Sequence, residues 1–136
     1  EQGVKLKFNP LAEVAGKRVV AIDDSIIRGT TTRKIVRMLF DSGAAEVHVR
    51  VSAPPIVSQC YYGMDFAEED ELIAATRSVE EVCERIGATS LAYLSLEGLT
   101  EATRRPESEL CRACLTRDYP TATPREGAKL RFETVP

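Results

Sequence analysis

The stretch Val19-Val20-Ala21-Ile22-Asp23-Asp24-Ser25-Ile26-Ile27-Arg28-Gly29-Thr30-Thr31 constrains the fold more than any other part of the chain. The run from Arg18 to Ile22 is short, mostly apolar and closed by two acids, which fits a strand buried on both faces of a parallel sheet. A polar loop, Asp23 to Gly29, follows it. From Thr30 the pattern changes: Ile35, Val36, Leu39 and Phe40 recur at helical spacing until Gly43, which is placed to end a helix in a left-handed conformation. Glu46 to Ser52 then alternates, Val47, Val49 and Val51 against His48 and Arg50, and predicts a second strand. Strand, loop, helix and strand make a β-α-β unit, so the expected class is α/β with a parallel sheet flanked by helices and a right-handed crossover.

Downstream, Pro54 and Pro55 stop regular structure, and Gln59 to Asp65 reads as an irregular loop containing Cys60. A short helix is expected around Asp70 to Ala75. Ser78 followed by Glu81 makes a capping box, and Val79, Val82, Cys83 and Ile86 form the stripe of an amphipathic helix ending near Gly87. Leu91 to Leu96 predicts another strand, followed by a short helical patch near Leu99. Thr103 to Glu109 is polar, Cys111-Arg112-Ala113-Cys114 follows, and the tail from Thr121 is expected to lie over the surface or fray.

With 136 residues, 43% of them hydrophobic and 29% charged, the chain has the balance of one globular domain that buries a core. Its net charge of -3, with Lys and Arg scattered among acids, argues against a nucleic-acid partner. No apolar run is long enough to span a bilayer and Glu1 to Lys7 has no signal-peptide character, so no membrane association and a cytoplasmic setting are expected. In that setting the cysteines read as reduced thiols or metal ligands. The missing initiator Met is what a fragment would show.

The loop has chemistry of its own. A parallel strand delivers its C-terminal end to the crevice where open α/β sheets bind ligands. Beyond it stand Gly29 for close backbone approach, the hydroxyls of Ser25, Thr30 and Thr31, and the unpaired N–H groups of a helix N-terminus, together an anion cradle. Asp23 and Asp24 would repel a phosphate placed on them, so they suit ribose hydroxyls or a magnesium ion with its waters. The competing reading is that Asp-Asp-Ser turns the chain and caps the helix. Arg28 fits either a phosphate contact or a solvent-facing role. The loop is neither a Walker A sequence nor a dinucleotide-binding fingerprint.

Cys111-x-x-Cys114 has the spacing of a zinc site, a cluster site, a redox pair or two packed thiols, with Cys60 in a loop well upstream. Thioredoxin-like chemistry is disfavoured, because there the pair opens a helix just after a strand. Cys83 lies on an apolar helical stripe and reads as a core thiol. His48, the sole histidine, reads as structural or surface.

These residues carry a resemblance. The loop resembles the phosphoribosyl pyrophosphate (PRPP) motif of type I phosphoribosyltransferases. The flanks Leu6-Lys7-Phe8-Asn9-Pro10, Gly16-Lys17-Arg18-Val19-Val20, Glu46-Val47-His48-Val49-Arg50, Pro54-Pro55-Ile56, Tyr62-Gly63-Met64-Asp65 and Tyr93-Leu94-Ser95-Leu96-Glu97-Gly98-Leu99 narrow it to amidophosphoribosyltransferases, from about Val4 to Tyr119. The resemblance implies a type I phosphoribosyltransferase fold, incomplete in this chain. Residues 1–102 would be the C-terminal portion of that domain and 103–136 a cysteine-bearing extension. It implies that Asp23 and Asp24 bind ribose hydroxyls and magnesium. Ser25, Arg28, Gly29, Thr30 and Thr31 would belong to the PRPP site, with the 5′-phosphate held by Ser25 to Thr31.

The implied activity is formation of 5-phosphoribosylamine from PRPP and glutamine-derived ammonia, the first committed step of purine biosynthesis. Catalysis there is largely positioning, so no general base is assigned in this chain. Cys60, Cys111 and Cys114 would be three ligands of a [4Fe-4S] cluster, the fourth lying outside the chain, with zinc as the alternative. Further implied partners are ammonia from an N-terminal glutaminase domain absent from this sequence, purine nucleotide inhibitors, and other copies of the full-length protein. The chain alone is expected to be inactive. Two other readings remain: a PRPP-sensing regulatory protein on the same fold, and a phosphoribosyltransferase acting on a free base.

Overall fold

The computed structural model describes residues 12–63 and 69–123. The motif Leu6 to Pro10, the Met64-Asp65 end of the Tyr62 motif, and most of the C-terminal tail lie outside the described residues. A 3-10 turn at Ala12–Val14 leads into strand β1, Arg18–Asp23. Helix α1 spans Thr30–Asp41, and strand β2, Glu46–Val51, completes the β-α-β unit expected from the periodicities. Helix α2 is Val79–Ile86, strand β3 is Ser90–Tyr93, helix α3 is Leu96–Thr103 and the short helix α4 is Ala113–Thr116.

Among the described residues the sheet has three parallel strands in the order β1-β2-β3. Its register pairs Val19 with Val47, Ala21 with Val49 and Asp23 with Val51, then Val49 with Leu91 and Val51 with Tyr93. Because side chains alternate along a strand, Val47, Val49 and Val51 share one face and are buried. They form a core with Ile26, Val36, Ala44, Ile73, Val82 and Ile86, with Val19, Leu91 and Tyr93 packed against it. Full burial of one such aliphatic side chain contributes about 1.5–3 kcal/mol.

Three expectations are corrected. β1 is not buried on both faces: Val20 is 59% and Ile22 79% exposed, because β1 is an edge strand and its second face is uncovered among the described residues. The helix expected around Asp70 to Ala75 is a 3-10 turn, Glu69–Glu71, followed by turns; consecutive acids and no helical stripe leave little to hold a longer helix. β3 ends at Tyr93 rather than Leu96, because Ser95 accepts the Gly98 N–H at 2.9 Å and caps α3.

Other expectations hold. Ser78 and Glu81 form both bonds of the capping box, and Gly87 closes α2 at φ 74°. Gly43 is left-handed beyond α1. His48 is bound on both ring nitrogens, to Glu46 and Ser90 at 2.8 Å each, on the open face of the sheet. Cys83 donates its thiol to Ala88 O, and burial, its largest influence, pushes that thiol up, as for a packed core residue.

Candidate functional site

The register levels the C-terminal ends of the strands at Asp23, Val51 and Tyr93, and the candidate loop leaves the sheet at that row. Ser52 N–H donates to Asp23 O at 2.9 Å, so the strand end is held from the neighbouring strand. The Asp23 carboxylate accepts the Asp24 N–H at 3.1 Å, and Ser25 Oγ lies 3.4 Å from Asp24 Oδ1. Asp24 is exposed and Asp23 half-buried, so the pair sits at the surface with one edge against the sheet.

Ile26 then plugs into the core at 2% exposure and anchors the loop from beneath. Gly29 starts α1 at φ 72°, a left-handed conformation that costs residues with a Cβ about 1–2 kcal/mol. A Cβ there would also stand 2.7 Å from Ile73 Cδ1 and 3.4 Å from Ile86 Cγ2. The core side chains under the loop therefore leave no room for a Cβ at Gly29. The first backbone bond of α1 is Arg33 N–H to Gly29 O at 2.9 Å, and Gly29 supplies no side-chain cap. The amides of Thr30 to Thr32 thus belong to the helix end that favours anions. Thr30 and Thr31 are exposed beside them, whereas Thr32 is buried.

Arg28 neither points alone into solvent nor stands free over the loop. Its Nη2 donates to Glu71 Oε2 at 2.7 Å, and that hydrogen bond, with the charge of Glu71, pushes the guanidinium above its ordinary value. Both groups are about half exposed, 54% and 43%, so solvent screens the pair and it directs the Arg28 side chain more than it stabilises the fold. Ile73 N–H donates to Ile27 O at 2.8 Å. The segment from Glu69 to Ala75 is thus a wall behind the loop, a role no motif announced, although its run of acids was a signal that it would seek cations.

The cysteines gather at another corner. Val57 and Ser58 N–H groups donate to Cys114 O at 2.9 and 3.1 Å, which docks the loop carrying Cys60 onto α4. Tyr119 Oη reaches Gln59 O at 2.5 Å and Ser58 Oγ at 2.6 Å, and its ring packs against Tyr61 and Tyr62 at centroid distances of 5.3 and 6.3 Å. Burial first, then the Cys60 and Cys111 sulfurs, push the Cys114 thiol up, so each of those two lies within electrostatic reach of Cys114. They are nevertheless not drawn into a coordination shell: among the described residues no group of three His, Cys, Asp or Glu side chains is arranged to hold a metal ion. Cys83 belongs to α2 and its own bond to Ala88.

No family model matches the chain. A solved glutamine PRPP amidotransferase from Bacillus subtilis, complexed with ADP and GMP, superposes with a TM-score of 0.79 at 43% identity, covering 93% of this chain and 30% of that one. The fold, with paired acids at a parallel strand end and a helix starting just beyond, is therefore that of the phosphoribosyltransferases. The amidophosphoribosyltransferase of Synechococcus elongatus is 54% identical over 138 aligned residues, 99% of this chain and 28% of that protein. That of Archaeoglobus fulgidus is 54% identical over 129, covering 93% and 28%. The chain belongs to the amidophosphoribosyltransferase family and spans little more than a quarter of the length of these relatives.

Proposed function

We propose that this chain supplies the ribose-phosphate loop of an enzyme that forms 5-phosphoribosylamine from PRPP and glutamine-derived ammonia, at the entry to purine biosynthesis. The observation that carries the reading is the juxtaposition of Asp23 and Asp24, at the level end of the strands, with the N-terminus of α1 one short loop away. One ligand that is both a polyol and a phosphate monoester satisfies both ends. The carboxylates accept hydroxyl protons, and the amides and hydroxyls of Thr30 and Thr31 receive the phosphate. Ser25, Arg28 and Gly29 complete the loop.

Adjacent carboxylate oxygens also suit magnesium, a hard cation that takes oxygen ligands and retains waters. When bound there, magnesium would neutralise charge on the departing pyrophosphate. The chain's own contribution is to orient C1 of the ribose for in-line attack, and it offers no general base. Loss of saturable PRPP dependence in Asp23→Asn and Asp24→Asn variants of the full-length protein supports this reading; activity with free bases but not with ammonia or glutamine would replace it.

Cys60, Cys111 and Cys114 would supply soft sulfur ligands, once deprotonated and drawn together, to a [4Fe-4S] cluster completed by a fourth thiolate from outside the chain, or to zinc. Such a group would tie the Cys60 loop to α4 and has no step in the ammonia transfer. Iron and acid-labile sulfide near a one-to-one cluster stoichiometry, lost in Cys111→Ser and Cys114→Ser, support the cluster; zinc in their place supports the alternative. The ADP and GMP bound by the Bacillus subtilis neighbour favour purine nucleotides as regulators of the full-length protein. A cytoplasmic homo-oligomer is the setting that accompanies this reading, and among the described residues no helix is long and apolar enough to cross a membrane.

A further inference from the structure

We propose that Arg117 is a positioning residue for the ribose-phosphate loop, which it reaches through the wall segment Glu69 to Ala75; the inference rests on the PRPP reading above. The Arg117 Nη2 lies 2.8 Å from Glu69 Oε1, 3.3 Å from Ala75 O and 2.9 Å from Val57 O. Glu69 and Ala75 are the two ends of the wall. Between them lie the residues that touch the loop: Glu71 holds Arg28, Ile73 N–H holds Ile27 O, and Ile73 Cδ1 lies under Gly29. One guanidinium therefore clamps both ends of the segment whose middle supports the loop.

The chemistry explains why an arginine stands here. One guanidinium nitrogen carries two N–H groups in a rigid plane, so three acceptors around Nη2 share two protons, and the longest contact, to Ala75 O, is the weakest. A lysine ammonium directs its donors differently and has no planar fork. Arg117 also ends α4 at φ 65°, a left-handed conformation in which glycine would be unstrained, and its N–H donates to Ala113 O at 2.7 Å. A side chain stands at a position that favours none, and its contacts to Val57, Glu69 and Ala75 hold it there. The same residue joins α4 to Val57, so the wall behind the loop is fastened to the corner that carries Cys60 and Cys114.

The test uses the full-length protein carrying this chain, with Arg117→Ala, Arg117→Lys and Glu69→Gln. KM for PRPP and kcat are measured alongside the melting temperature and deuterium exchange in peptides covering residues 24–29 and 69–75. Expected for Arg117→Ala is a KM for PRPP raised about tenfold with kcat changed less than about threefold, and faster exchange in both peptides. Arg117→Lys should fall between it and the wild type, and Glu69→Gln should raise KM about threefold.

Unchanged KM and exchange in Arg117→Ala overturn the proposal, as does a lowered melting temperature with KM for PRPP unmoved, the mark of a merely structural contact. If Arg117→Ala does not fold, Arg117→Lys and Glu69→Gln decide by the same two readouts. If the wild type shows no saturable PRPP dependence, the substrate reading fails instead. The clasp then stands or falls on whether exchange at residues 24–29 responds to Arg117.

Discussion

At Gly29 two independent requirements meet, a left-handed backbone and a missing Cβ above Ile73 and Ile86. Gly29→Ala is therefore expected to destabilise the protein by about 1–2 kcal/mol from backbone strain, with any shift of Ile73 adding to it. Chemical denaturation checks the value, and a change below about 0.5 kcal/mol would mean the loop relaxes without the core. Glu46 permits a prediction about pH. Its hydrogen bond from Arg18, and next that with His48, hold its carboxyl below the ordinary carboxylate range. A carboxylate depressed on folding adds stability that is fully present above its unfolded pKa and is lost as pH falls through the lower folded value. Arg18→Ala should accordingly move the Glu46 titration upward, as followed by carboxyl NMR, and reduce the loss of stability on acidification. These pairings were beyond local pattern, since Arg18 and Glu46 lie on neighbouring strands; the alternation of β2 placed His48 opposite the valines but could not name its partners.

At the scale of single elements, local signals specified most of what formed. The helical stripe of α1, its start after Gly29, the alternation of β2 and the capping box of α2 each depend on residues within a few positions, and each is present. The capping box fastens a helix whose Val82 and Ile86 are both 1% exposed, so fraying there would reach the core. Ser78→Ala is expected to cost about 1 kcal/mol, measured by thermal unfolding, while Ser78→Asp should largely preserve stability. The end of β3 was misplaced because an apolar run does not distinguish a strand from the start of a helix, and the Ser95 cap decides it. In the candidate site, Asp23, Asp24 and Gly29 were readable from strand-loop-helix order. The Arg28–Glu71 pair and the Arg117 contacts join residues more than forty positions apart, and no local pattern announces them.

At the largest scale the described residues make a β-α-β unit extended by a third strand, covered by helices on the face that holds the buried valines. On the other face Val20 and Ile22 form an exposed apolar row on edge strand β1. Apolar composition had suggested a strand covered on both faces, and burial depends on neighbours that a strand's own residues do not contain. Such a row invites association. For the isolated 136-residue chain, a Val20→Thr, Ile22→Thr double variant should lower concentration-dependent light scattering, with stability changed by less than about 1 kcal/mol. Unchanged scattering would locate the association elsewhere.

The central claim, that the paired acids and the helix start beyond them form one ribose-phosphate site, is tested most directly by calorimetric titration of PRPP into the full-length protein, with and without magnesium. Wild type should bind with magnesium, and Asp23→Asn, Asp24→Asn should lose most of that binding and its response to the ion while keeping the wild-type melting temperature. PRPP binding that is equally tight in the folded double variant would contradict the account and place the sugar on other residues.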